Sequence, residues 1–343
     1  MLRLALIPSL LLSTAALADV PRVATDIAPI HSLVSRVMEG LGTPDLVVSP
    51  GASPHGYALR PSQAADLDRA EAVFVVGHAL TPWLENPLEQ LAADAVVIEL
   101  LEVEGATVHM FRQGAVFERH DHDDHDDHDD HDDHDDHDDH DDHDDHDEAA
   151  HDGHDVNTED HAMDDEDAHD HDHTGQDPHA WLDPENARLW LSVIAAQLAT
   201  MDPENAATYH ANAEAGRAEL AELSVDIAAD LAPLRDRPFI VFHDAYQYFE
   251  TRFGLTNAGA ISLGDVSAPS AARIAEIRET VADRGVTCVF SEPQFNPGLV
   301  DTVLAGSGAN TTVIDPLGTY LPLGATLYPD LLRQMTASIA DCL

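Results

Sequence analysis

The chain has 343 residues, with 65 acidic against 16 basic side chains, 23 histidines, two cysteines and a formal net charge of -49. All 16 basic residues are arginine. That charge repels phosphate backbones and anionic membranes, which excludes nucleic-acid binding and polybasic membrane attachment. The absence of lysine excludes a Schiff-base nucleophile and a Walker-type phosphate site.

In chain order, residues 1–18 read as a secretory signal: Arg3, an apolar run through Leu12, and the small-residue ending Ala16-Leu17-Ala18, with cleavage expected after Ala18. The apolar run is too short for a membrane anchor, and no cysteine at the cleavage point offers a lipid attachment. A soluble, exported protein is expected, with the periplasm as its compartment. In such an oxidising compartment Cys288 and Cys342 are expected to form a disulfide, two buried free thiols being the alternative.

Residues 22–27 pattern as a strand and 29–38 as a helix ended by Gly40 and Gly42. A strand at 46–48 leads into the turn Pro50-Gly51-Ala52-Ser53-Pro54, followed by a helix at 62–70. The apolar runs 72–76 and 95–98 are of the buried, parallel-strand type. Further on, Asp183-Pro184-Glu185 and Asp202-Pro203-Glu204 are both helix starts, with a capping acid followed by proline. From the second, a helix of nearly thirty residues runs to Leu231, about 40 Å long. A second series follows: a strand at 239–242, a helix at 271–283, strands at 286–290 and 312–314, and a final helix at 328–340.

The alternation predicts an α/β fold of two (β/α) lobes with parallel-type sheets joined by a long rigid helix. The expected divisions are a signal peptide at 1–18 and an N-terminal lobe at 19–202 containing a loop at 118–176. A linker helix at 203–233 and a C-terminal lobe at 234–343 complete the chain.

The loop is a low-complexity insertion. Residues 120–173 hold 16 of the 23 histidines and 29 of the 65 acids, with no arginine, leaving a net charge of -20 on the other 289 residues. Histidine recurs every third position at His122, His125, His128, His131, His134, His137, His140, His143 and His146. A stretch with so little apolar surface is expected to be disordered. It reads either as a solvated acidic spacer or as a weak, multivalent trap for a transition metal that favours imidazole.

Seven histidines lie outside the insertion. His55 and His243 sit on turns after strands, and His179 lies at the end of the insertion before the helix opened by Pro184. Asp315 follows another strand. Ligand sites of open parallel sheets lie at the carboxyl ends of strands, although hydrogen-bonded structural histidines would fit the same bare pattern. His78 is expected at the rim of the same crevice, and His31, His109 and His210 read as structural or exposed.

Three segments make the reading specific: Ser53-Pro54-His55-Gly56-Tyr57-Ala58-Leu59-Arg60-Pro61-Ser62, Asp177-Pro178-His179-Ala180-Trp181-Leu182-Asp183-Pro184 and Val241-Phe242-His243-Asp244-Ala245-Tyr246. They resemble the signatures of the cluster A-I metal-binding proteins of ABC transporters, and Ser291-Glu292-Pro293-Gln294-Phe295 and Ile314-Asp315-Pro316-Leu317-Gly318 extend the match. The resemblance covers nearly the whole mature chain outside the insertion and is nearest to the zinc-binding branch. It implies a metal site in the interlobe cleft, with His55, His179 and His243 as primary ligands and Asp315 or water in fourth place. Some zinc-binding members carry a glutamate where Pro54 stands. Manganese members carry a carboxylate at the position of His243, and three imidazoles suit Zn²⁺ better than Mn²⁺. The place of the histidine-acid loop and the cysteine pair fit the zinc branch as well.

The resemblance therefore implies a monomeric periplasmic solute-binding protein, not an enzyme. It would pass Zn²⁺ to the membrane permease of an ABC transporter with its cytoplasmic ATPase, with periplasmic metallochaperones as further partners. Binding should weaken as pH falls below about 6, because neutral imidazoles are required. A zinc hydrolase is compatible with the ligand set alone but lacks an HExxH motif. A metal buffer working through the loop is the other alternative.

Overall fold

The computed structural model describes residues 20–112, 114–117, 175–262 and 269–343. The expected signal peptide and the nine regularly spaced histidines of the insertion lie outside the described residues.

The first lobe is built from β1 (Val23–Thr25), α1 (Ala28–Val37), β2 (Asp45–Leu46), α2 (Pro61–Asp68), β3 (Ala72–Val75), α3 (Glu85–Leu91) and β4 (Val96–Glu99). Its strands are all parallel in the order β2-β1-β3-β4. Every residue of β3 is buried, as expected for a parallel strand covered on both faces. Nine of the ten residues of α1 are buried as well, because this helix lies between the sheet and the long helix described next.

Two helices follow the insertion: α4 (Pro184–Met201) and α5 (Ala206–Leu231). The start of α4 is the expected one, with Pro184 in its first turn and Asp183 accepting from the Glu185 amide at 2.9 Å. The start of α5 comes later than the Asp-Pro-Glu signal at 202–204 suggests. Asp202 accepts instead from the Asn205 side chain at 2.7 Å and the Tyr209 hydroxyl at 2.9 Å. Those bonds hold residues 202–205 as a turn.

At 26 residues α5 is about 39 Å long. It buries Tyr209, Ala213, Gly216, Leu220, Leu223, Ile227 and Leu231, a stripe repeating at three and four residues. The helix packs on α1, α4 and the C-terminal helix. At Gly216 the neighbours come close: a Cβ there would meet Arg36 Cγ at 3.0 Å and Leu191 Cδ1 at 3.1 Å.

The second lobe comprises β5 (Phe239–His243), α6 (Gln247–Phe253), β6 (Asn257–Ser262), α7 (Ala271–Asp283), β7 (Cys288–Ser291), α8 (Pro297–Leu304), β8 (Asn310–Val313) and α9 (Leu327–Cys342). Its strands are also parallel, in the order β6-β5-β7-β8. The two sheets thus share one topology, in which β5 occupies the place of β1. A disulfide between Cys288 and Cys342, with Cα atoms 5.8 Å apart, ties the end of α9 to the start of β7. Among the described residues no helix is long and apolar enough to cross a membrane.

The segments flanking the insertion depart from the simple two-lobe division. Residues 115–117 run antiparallel to β6: Phe117 donates to the Ala258 carbonyl and Ala260 to the Ala115 carbonyl, both at 3.1 Å. A Cβ at Gly259 would collide with the Ala115 carbonyl, so glycine allows this approach. The two roots of the insertion also pair, Phe111 N–H donating to the Gly175 carbonyl at 3.0 Å and Asp177 N–H to the His109 carbonyl at 2.8 Å. The chain entering the insertion therefore leans on the second sheet, although it is read in sequence as part of the first lobe.

Candidate metal centre

His55 stands in the turn that leaves β2. Its amide donates to Ser53 Oγ at 3.2 Å, and the Pro54 carbonyl accepts from Trp83 Nε1 at 2.7 Å. Behind it, the Tyr57 hydroxyl bonds Ser49 Oγ at 2.8 Å and accepts from Gln63 Nε2 at 2.9 Å, closing the 49–57 turn onto α2.

His179 precedes a 3₁₀ turn, Ala180–Leu182. One oxygen of Asp177 binds both its amide, at 3.0 Å, and its ring Nδ1, at 2.7 Å. Asp177 is itself held, its carbonyl accepting from the Tyr248 hydroxyl at 2.7 Å. Trp181 Nε1 donates across to the Pro316 carbonyl at 2.8 Å, joining this turn to the second lobe.

His243 is the last residue of β5. Glu292, one residue past β7, grips it in the same way: Oε1 takes the amide at 3.3 Å and Nδ1 at 2.8 Å, with Oε2 at 2.9 Å from the same nitrogen. The next residue, Asp244, is clamped by Arg112, whose Nε lies 3.1 Å from both carboxylate oxygens and whose Nη1 donates to Glu250 at 2.6 Å. The guanidinium also stacks 3.9 Å from the centroid of Phe117. Burial opposes the Arg112 charge, but the Glu250 and Asp244 carboxylates outweigh it and hold the group protonated.

These turns bring three imidazoles to one point. His55 Nε2 and His243 Nε2 each lie 3.3 Å from His179 Nε2, and all three ligand atoms fall within 4.8 Å of one another. A tetrahedral Zn²⁺ with Zn–N bonds of 2.0–2.1 Å sets its ligand nitrogens about 3.3–3.4 Å apart, so two of the edges already have that length. The surrounding walls are Pro54, Trp181, Phe295, Pro316 and Leu317. Burial raises the Asp177 carboxyl to about 7, against the pull of the His179 amide and Arg112. Burial, with Glu292 and Asp315 nearby, likewise raises the Tyr246 hydroxyl well above its ordinary value.

Asp315 does not join the three-imidazole group. Its Oδ1 accepts from the amides of Leu317 at 3.0 Å and Gly318 at 3.1 Å, and its Oδ2 from the Thr319 amide at 2.6 Å. His78 is also elsewhere, contrary to its expected place at the crevice rim. It is exposed, pairs with Glu85 at 3.3 Å and lines a separate pocket beside β4 with Glu89 and Glu99. His31 is buried and structural, its Nε2 hydrogen-bonded to the Pro44 carbonyl at 3.1 Å. The His109 ring packs on Tyr248, and His210 lies exposed on α5. The loop histidines, His122 to His146, are outside the described residues. Sequence reasoning did not single out Asp177, Glu292 or Arg112. The two carboxylates did lie within the quoted motifs, at the second residue before His179 and at the end of a strand.

Two parallel α/β lobes bridged by a long helix, with three convergent imidazoles carried on turns, define a metal-capturing solute-binding protein. Residues 23–342 match the model of the periplasmic zinc-uptake complex component A family, ZnuA, and the chain belongs to that family. It is 46% identical over 321 residues to the high-affinity zinc uptake system protein ZnuA of Brucella abortus (strain 2308), covering 94% of this chain and 91% of that one. It is 45% identical to the protein of the same name from Paracoccus denitrificans, covering 97% and 95%. Among solved structures, a crystal structure of ZnuA shares the fold with a TM-score of 0.68 at 23% identity, covering 94% of this chain and 99% of that one. A zinc-bound ZnuA deletion mutant gives the same TM-score and identity, covering 94% and 98%. The chain is thus a periplasmic zinc-binding component of an uptake system, with Zn²⁺ as its cargo.

Proposed function

We propose that His55, His179 and His243 bind one Zn²⁺ through their Nε2 atoms and that the chain, as a monomer, passes it to the membrane permease of an ABC transporter powered by a cytoplasmic ATPase. The observation that carries this reading is the pair of 3.3 Å Nε2–Nε2 distances meeting at His179. The fourth position goes to water or to Asp315. The engagement of Asp315 with three backbone amides favours water.

The rest of the proposal follows from the chain's plan. Export proceeds through a signal peptide cleaved after Ala18, and the lobes are 19–202 and 234–343 with 203–233 as the strut between them. The insertion histidines His122 to His146 serve as weak auxiliary ligands, and periplasmic metallochaperones are further partners. The centre is a carrier and not a catalyst: Asp177 and Glu292 both point at ring Nδ1 atoms, so neither is placed as a general base for a metal-bound water.

Titration of the protein with Zn²⁺ and with Mn²⁺ against a competing chelator tests the reading. One tight Zn²⁺, retained when residues 120–173 are deleted, with several weaker sites lost, supports it. Loss of tight binding on deletion of the insertion would make the loop the working part and the cleft secondary.

A further inference from the structure

We propose that Glu292 and Asp177 are positioning residues for zinc capture, each fixing the ring of one histidine so that its Nε2 lone pair faces the shared point. The inference rests on the ligand assignment above.

The argument begins with a repeated geometry. In both cases a single carboxylate oxygen takes the main-chain amide and the ring Nδ1 of the same histidine. Binding both points fixes the ring relative to its own backbone and leaves it little rotation. The two clamps arise from different parts of the chain. Asp177 is two residues from His179, whereas Glu292 reaches His243 from the end of the neighbouring strand β7, 49 positions away. Both carboxylates are buried, at 1% and 4% exposure.

An ionised carboxylate accepts but does not donate, so above the Asp177 titration a ring that bonds it through Nδ1 carries its proton there and offers Nε2 as the acceptor. That is the nitrogen each ring turns toward the others. A carboxylate behind an imidazole also makes it a more basic ligand, which favours Zn²⁺ over the oxygen-preferring Mn²⁺. Without the clamps the imidazoles would still be present, but their tautomer and aim would be left to chance.

Nitrogen-15 NMR of the histidine-labelled apo protein reads the tautomers directly. The expected result is a proton on Nδ1 of both His179 and His243; a proton on Nε2 of either ring overturns the proposal without any variant being needed. Glu292→Gln and Asp177→Asn then remove charge at nearly constant shape. Each should raise the Kd for Zn²⁺ by about 10–100-fold, reduce the preference for Zn²⁺ over Mn²⁺, and let the clamped ring populate both tautomers. Zinc affinity within twofold of the parent in both variants would overturn the proposal. His243→Ala separates the two readings. If it binds zinc as tightly as the parent, the ligand assignment has failed. If it loses tight zinc while Glu292→Gln and Asp177→Asn do not, the positioning claim alone falls.

Discussion

His55 and His179 are 124 positions apart in the chain, yet their Nε2 atoms lie 3.3 Å from each other. One ring is delivered by the turn leaving β2 and the other by the turn that follows the insertion. A tetrahedral zinc site requires a separation of about that size. The turn that carries His179 is tied to the second lobe independently of these rings, through the Trp181 bond to the Pro316 carbonyl and the Tyr328 bond to the Trp181 carbonyl at 2.6 Å.

Asp315 provides a test of what completes the coordination. Its carboxylate caps the amides of residues 317–319, so Asp315→Asn should lower the unfolding free energy by about 1–3 kcal/mol as one acceptor becomes a donor facing those amides. Zinc affinity should stay within about tenfold, because a water-completed site keeps its three imidazoles. Denaturant unfolding and chelator competition measure the two effects separately, and a loss of affinity well beyond that range would assign the fourth position to Asp315.

Arg112 tests the root of the insertion. It is paired with Asp244 and Glu250, whose side chains are only 2% and 5% exposed. Arg112→Met would leave two buried carboxylates without their cation, at a cost of about 3–5 kcal/mol. The expected outcome is a large drop in denaturation midpoint, measured by circular dichroism. An unchanged midpoint would show that the cluster is not a structural clamp.

His31 sets a pH dependence unrelated to metal. Burial lowers its affinity for a proton below the ordinary imidazole value, while the Pro44 carbonyl partly opposes this. The unfolded chain then binds a proton at about pH 6.5 that the folded chain still refuses. Stability from this group is complete above that pH and declines as pH falls through the interval down to the lowered folded value. The difference in urea-melt stability between chelator-treated parent and His31→Gln should show this decline as pH falls; a difference independent of pH would contradict it.

The disulfide gives a fourth expectation. Cys288 and Cys342 are separated by 54 positions, and loss of a bond closing such a loop costs about 4 kcal/mol in the chain-entropy model. A Cys288→Ala, Cys342→Ala variant should unfold at correspondingly lower urea. Equal stability of the variant and the oxidised parent would remove the bond from the account of the second lobe.

Local pattern made parts of this molecule readable and left others out of sight. β3 and β5 are continuous apolar runs, and His243 closes the second of them. β6 could not be read that way: Asn257-Ala258-Gly259-Ala260-Ile261-Ser262 has one β-branched residue and a glycine. It is a strand because β5 pairs with one edge and residues 115–117 with the other, and Gly259 permits the second contact. α6, with seven residues, and α8, with eight, were too short to show a helical period. Glu292 was present in a recognisable motif, but its grip on His243 depends on the pairing of β5 with β7, a tertiary fact. Asp315 carried the opposite ambiguity, since a strand-end acid serves equally as a metal ligand or as a cap for its own turn.

The most direct test of the central claim is the zinc stoichiometry at high affinity of the His55→Ala, His179→Ala, His243→Ala variant, measured by chelator competition on the full chain. The account predicts that the single tight Zn²⁺ of the parent disappears while weaker binding persists. One Zn²⁺ still held as tightly as in the parent would contradict the cleft as the capture site.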